Sequence, residues 1–113
     1  MVKSRSYVPE RGDVVWLDFD PVLGHEQGGR RPALILSSRE YNLVVKLAIV
    51  CPITSQVKGY PFEIEFKSKK INGAILADHV RNIDWTKRKA DKIDTVSEFV
   101  MNELQEHIKK LIL

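Results

Sequence analysis

A single cysteine, Cys51, in 113 residues leaves neither an internal disulfide nor a cysteine-based zinc cluster available. Its neighbours Ala48, Ile49, Val50, Pro52 and Ile53 are apolar and no histidine or lysine adjoins it, so it reads as a buried strand residue rather than a nucleophile. Histidine is scarce as well: His25, His79 and His107 are not paired at metal-ligand spacing, and neither a metal nor another cofactor is expected. The absence of a long apolar run argues against a signal peptide or membrane span and for a cytoplasmic protein. Nucleotide-binding signatures are missing too, with no G-x-G-x-x-G opening a helix and no phosphate loop ending in G-K-[ST]. Any phosphate must therefore be held by side chains. Nor does one sign of charge dominate. The net charge of +3 and pI of about 9.1 are compatible with a nucleic-acid partner without demanding one.

What is present is the composition of one globular domain, residues 1–113, with 43% hydrophobic and 29% charged residues. In Asp13 to Asp20 the residues Val15, Leu17 and Phe19 alternate against Trp16 and Asp18, which predicts a half-buried strand. Arg31 to Ser38 is a second, nearly continuous apolar strand, with Pro32 tolerable at an edge or a first strand position. A short helical turn over Arg39 to Leu43 should precede a fully buried third strand, Val44 to Ile53. Strands over Phe62 to Phe66 and Ala74 to Val80 follow. From Ser97 onward the period changes: Val100, Leu104, Ile108 and Leu111 recur at helical spacing, behind Ser97 as N-cap or Thr95 and Glu98 as a capping box. Short strands with few helices among them predict a mainly β fold, a small antiparallel barrel with a C-terminal helix packed against it.

The most informative stretch is the loop Gly24-His25-Glu26-Gln27-Gly28-Gly29-Arg30-Arg31-Pro32 between the first two strands. Glycines let a backbone approach a ligand closely, and arginines present planar donors that match phosphate oxygens. The same composition also suits a plain polar connection.

Taken in order, the segments resemble the MazF/PemK family of toxin endoribonucleases from toxin–antitoxin modules, and most closely its MazF branch. The likeness is carried by Arg11-Gly12-Asp13, by Trp16 to Pro21 as W-L-D-F-D-P, and by Gly24 to Leu36 as G-H-E-Q-G-G-R-R-P-A-L-I-L. It continues through Pro52 to Glu63 as P-I-T-S-Q-V-K-G-Y-P-F-E and Gly73 to Trp85 as G-A-I-L-A-D-H-V-R-N-I-D-W. The resemblance implies an SH3-like barrel of the CcdB/MazF/PemK kind and a homodimer with an RNA groove across or beside its interface. It further implies sequence-specific, metal-independent cleavage of single-stranded RNA (mRNA) to 2′,3′-cyclic phosphate and 5′-hydroxyl ends, inhibiting translation and growth. The implied partner is a MazE-like antitoxin whose acidic, disordered tail lies in the same groove. No membrane is involved.

For such cleavage the substrate's 2′-hydroxyl is the nucleophile, and the protein must align it, move protons and stabilise the phosphorane. Arg31 fits the last task, its alternative being a surface salt bridge with Asp18 or Glu26. Thr54, at the end of the third strand, would by itself be read as a turn residue bonding its own backbone. The resemblance makes it the phosphate-binding partner of Arg31. Glu26 is either a proton acceptor or, since a nearby arginine weakens it as a base, a positioner of Arg31. His25 is suited to proton transfer near neutrality or is a plain loop histidine. Asp78 matches an aspartate of the PemK mechanism, but the arginine that accompanies it there is replaced by Leu76, leaving a structural or RNA-positioning role. His79 stands where close MazF relatives tend to carry an amide. Gln27, Arg30, Gln56 and Lys58 complete the candidate RNA contacts. Tyr60 and Phe62 either stack on bases or pack in the core. Lys87-Arg88-Lys89 and Lys69-Lys70 are solvated turns or an extension of the cationic track. The alternative from another class is a CcdB-like, non-catalytic poison of DNA gyrase, which has no chemical reason to keep Arg31 together with Thr54.

Overall fold

A computed structural model describes residues 7–20 and 24–113; Pro21, the end of the W-L-D-F-D-P segment, lies outside them. Among the described residues, seven strands and two helices follow one another: β1 (Asp13–Asp18), β2 (Arg30–Ile35), α1 (Arg39–Val45), β3 (Ala48–Thr54), β4 (Glu63–Lys67), β5 (Asn72–Leu76), β6 (Arg81–Ile83), β7 (Asp91–Thr95) and α2 (Glu98–Ile112). The strands form one antiparallel sheet in the order β4-β5-β3-β2-β1-β7, with β6 beside β3. It is curled into a half-barrel, as the small-barrel reading anticipated.

The curl originates in β3. Its first half, Ala48 to Val50, pairs with β6, whereas its end, Ile53 and Thr54, pairs with β5. Pro52, which has no N–H to give, falls between the two pairings. Gly73 of β5 passes so close that a Cβ there would sit 2.3 Å from the Thr54 carbonyl oxygen. A larger residue would push β5 away from the end of β3.

Alternation along β1 predicts one buried face, yet the strand lies inside the sheet and both faces are covered. Val15, Leu17 and Phe19 pack with Ala33, Ile35, Val50 and Ile83 on one side; Val14, with Trp16 beside it, packs on the other with Leu34, Ile53 and Ile75. Pro32 is also interior to its strand, but the β2–β3 register begins at Ala33, so at Pro32 the strand has only β1 as a neighbour. The third strand begins later than predicted because Val44 and Val45 end α1, where Val44 is exposed. The fifth begins at Asn72, and its predicted continuation to Val80 is a turn leading into β6.

Helix α2 starts as read, with Ser97 as N-cap accepting from the Val100 N–H at 3.3 Å. Met101 and Leu104 are buried in the second cluster, Val100 and Ile108 pack partly against it, and Leu111 is left exposed. The predicted stripe therefore packs at Val100, Leu104 and Ile108, with Met101 joining it and Leu111 left out.

Candidate nucleic-acid interface

The loop between β1 and β2 is closed by two bonds: Phe19 N–H donates to the Gly29 carbonyl at 2.9 Å, and Gly29 N–H to Asp20 Oδ1 at 2.9 Å. Gly29 holds φ +75, a left-handed conformation that strains other residues. The chain then enters β2 at two consecutive arginines. Neighbouring strand residues point to opposite faces, so the two side chains part company. Arg30 sits opposite Asp18 in the β1 register and pairs with its carboxylate at 3.0 Å, while also donating to the Lys89 carbonyl at 2.9 Å. Arg31 turns the other way and donates from Nε to the Gly28 carbonyl at 2.8 Å. That bond fixes the guanidinium while leaving both terminal nitrogens for a ligand.

Across the sheet stands Thr54. The β2–β3 register pairs Ala33 with Pro52; two residues further along each strand are Arg31 and Thr54, which therefore share a face. Thr54 is 8% exposed, and its Oγ1 accepts the Gln56 N–H at 3.1 Å. The backbone-bonding turn read from sequence is thus present, and it still leaves the hydroxyl proton to donate.

These two side chains line a hollow of about 430 Å³ together with His25, Gln27, Gln56, Lys58 and His79. The same wall includes Ser55, Tyr60, Glu63 and Leu76. Glu63 organises it: its carboxylate accepts the backbone N–H groups of Lys58 and Gly59, each at 3.0 Å, and so shapes the loop that carries Lys58 and Tyr60. Sequence reading passed over Glu63 because a charge inside an alternating strand looks like a solvated face. Tyr60 is not core: it is 46% exposed, its ring meets Phe62 edge-on at 6.1 Å, and its hydroxyl donates to Asp78 Oδ2 at 2.9 Å. That bond to a carboxylate holds the Tyr60 phenol above the usual tyrosine range. Phe62 does pack partly against the core.

A second hollow of about 330 Å³ adjoins the first, sharing His25, Gln27 and His79 with it. Glu26 and Asp78 line this one. Asp78 Oδ1 is buried without a hydrogen-bond partner among the described residues, 3.9 Å from His79 Nε2. Arg30 is absent from both hollows and lies along two others, one of them beside Arg31. Arg88 is not a solvated turn residue, because it donates to the carbonyls of Asp18 and Asp20 at 3.0 Å each. Cys51 is fully buried, and burial together with the charge of Asp78 pushes its thiol up to about 12. Among the described residues no group of three histidine, cysteine or acidic side chains is placed to hold a metal ion. Among the described residues no helix is long and apolar enough to cross a membrane.

Fold and site together define a small curled β-sheet protein in which a strand arginine, the buried Thr54 at a strand end, and loop amides and a lysine line one polar hollow. Residues 10–112 match the family described as PemK-like, MazF-like toxin of type II toxin-antitoxin system. The chain is 42% identical over 106 residues to the endoribonuclease toxin MazF of Escherichia coli K12, covering 94% of this chain and 96% of that one. The crystal structure of MazF from Deinococcus radiodurans superposes with a TM-score of 0.92 at 45% identity, covering 95% and 98% of the two chains. A MazE–MazF crystal structure from the same organism superposes at 0.85, again at 45% identity, covering 95% and 97%. The chain belongs to the PemK-like, MazF-like toxin family of type II toxin–antitoxin systems.

Proposed function

We propose that this chain is an endoribonuclease toxin acting as one domain, residues 1–113, that cuts single-stranded RNA by attack of the 2′-hydroxyl on the adjacent phosphorus. The observation that carries this is that Arg31 and Thr54 line one polar hollow. In the reaction the 2′-oxygen loses its proton and bonds to phosphorus, the P–O5′ bond breaks, and the 5′-oxygen takes up a proton. A 2′,3′-cyclic phosphate and a 5′-hydroxyl result. Arg31 donates to the non-bridging oxygens as negative charge builds up, and the Thr54 hydroxyl supplies a further donor to the same phosphate. The nucleophile comes with the substrate, so the protein's work is alignment, charge stabilisation and proton transfer, none of which requires a metal. His25 is the wall residue suited to moving a proton near neutrality. Glu26, which also lines the adjoining hollow, is a positioner of Arg31 rather than the base. Gln27, Gln56, Lys58 and His79 contact flanking nucleotides, with Arg30 a peripheral cation and Asp78 a positioner through Tyr60.

The family match and the named endoribonuclease relatives support this over a gyrase poison, which needs no phosphate-activating pair. The solved MazE–MazF complexes support a MazE-like antitoxin as partner. A homodimer working in the cytoplasm completes the reading. Incubation with a long single-stranded RNA in excess EDTA tests it: discrete cuts with 2′,3′-cyclic phosphate and 5′-hydroxyl termini are expected, and intact RNA would overturn it.

A further inference from the structure

The chain's three histidines are unevenly placed. His107 lies on α2, where its ring meets the Glu103 carbonyl at 2.9 Å, whereas His25 and His79 line the hollow that holds Arg31 and Thr54. Cleavage needs two proton transfers, one from the 2′-oxygen and one to the 5′-oxygen, and an imidazole can carry out either near neutrality. One of them falls to His25.

His79 is placed for the other. It follows β5 in a turn closed by its own N–H, which donates to the Leu76 carbonyl at 3.1 Å, and the Ala77 N–H anchors the same turn on the Phe62 carbonyl at 3.0 Å. Asp78, the residue before it, has one carboxylate oxygen fixed by the Tyr60 hydroxyl at 2.9 Å. The other, Oδ1, is buried without a hydrogen-bond partner among the described residues and lies 3.9 Å from His79 Nε2. A buried carboxylate oxygen left unpaired is costly, and a ring N–H at Nε2 is a donor placed to satisfy it. Protonated on both nitrogens, the ring gives Nε2–H to that oxygen and keeps Nδ1–H for a substrate. The side chain is 29% exposed, open enough to meet a bound strand.

We propose that His79 is the general acid of the cleavage step, oriented by Asp78. As the P–O5′ bond breaks, Nδ1–H gives its proton to the departing 5′-oxygen, while His25 takes the proton from the 2′-oxygen as that oxygen bonds to phosphorus. Exchange with water then returns a proton to His79 and removes the one on His25. The inference rests on the RNA-cleaving reading above and adds a catalytic role to the nucleotide contact given there to His79.

The test compares single-turnover cleavage of two RNAs that differ only at the mapped cut, one with the ordinary 5′-oxygen and one with sulfur in its place. A thiolate departs without a proton, so the sulfur linkage does not need the acid. His79→Gln is expected to cut the ordinary linkage about a hundredfold more slowly, yet to cut the sulfur linkage within about threefold of the unsubstituted chain. A residue that only shaped the groove would slow both alike. The pH profile gives a second readout. Asp78, Glu26, His25 and Arg81 border the ring in one hollow, and Arg31, Lys58, Tyr60 and Glu63 in the other, so the profile is read as the difference between variant and unsubstituted chain. On the ordinary linkage the unsubstituted rate should decline as pH rises past neutrality and the acid loses its proton, and His79→Gln should lose that decline. Thermal melts establish that the variant is folded; if it is not, His79→Asn takes its place. Equal losses on the two linkages, or no loss on either, overturn the acid and leave the cleavage reading standing. No cleavage of the ordinary linkage by the unsubstituted chain overturns both.

Discussion

Arg31 of β2 and Thr54 of β3 each lie two residues beyond the Ala33–Pro52 pair, past the end of the β2–β3 register, and both line the same hollow. Arg30, one residue earlier, is on the opposite face and paired with Asp18 at 3.0 Å. The sheet's alternation thus sends two adjacent, identical side chains to different surroundings.

Replacing Arg31 by alanine is expected to slow cleavage about a hundredfold or more, corresponding to roughly 3 kcal/mol of lost charge stabilisation. Arg30→Ala removes an exposed cross-strand pair of about 0–1 kcal/mol and should slow cleavage far less. Single-turnover rates on one RNA distinguish the two, and equal losses would mean that the partition between faces is wrong.

Thr54→Val keeps the shape but removes both the acceptor for the Gln56 N–H and the hydroxyl donor, whereas Thr54→Ser keeps both. A drop of roughly a hundredfold is expected for valine, with most of the rate retained by serine. A serine variant as slow as the valine one would show that the methyl group, not the hydroxyl, matters.

Gly73→Ala sets a methyl 2.3 Å from the Thr54 carbonyl oxygen, a backbone atom that cannot swing aside. Destabilisation of about 3 kcal/mol is expected from forced strand separation. Urea unfolding measures it, and a loss under about 0.5 kcal/mol would contradict so close an approach.

Stability should fall on the alkaline side. Cys51 titrates near 9.0 when unfolded but only at about 12 when folded, because it is buried and near Asp78. Burial and its bond to Asp13 also push the Tyr7 phenol up from 10.0. Above those unfolded values the folded chain holds protons the unfolded chain has lost. The contribution is therefore complete below about pH 9 and declines as pH rises toward 12, at about 1.4 kcal/mol per pH unit for each group. Urea midpoints at pH 8, 9, 10 and 11 should decrease, and Cys51→Val should flatten the first part of the fall. Constant midpoints would rule the coupling out.

The elements legible in sequence were those with a strong local signal. Ser97 caps α2 because its side chain can bond a backbone N–H three residues on, and β2 and β3 announce themselves by apolar runs. β7 was invisible: Asp91–Thr95 carries Ile93 among charges, as an edge strand does when one side has no partner. Val44 and Val45 look like strand but end a helix that a left-handed Lys46 terminates. At the site, loop composition and the family resemblance pointed to Arg31 and Thr54. The separation of Arg30, the outward turn of Tyr60 and the loop-holding carboxylate of Glu63 depend on register and on contacts between distant segments, which no local pattern encodes.

The most direct measurement is cleavage, in excess EDTA, of two RNAs identical except for a single deoxyribose on the 5′ side of the mapped cut. The all-ribose strand is expected to be cut to a 2′,3′-cyclic phosphate end, and the deoxy-substituted strand to survive at that linkage while still binding. Cutting at the substituted linkage would contradict attack by the 2′-hydroxyl and, with it, the roles given to Arg31 and Thr54.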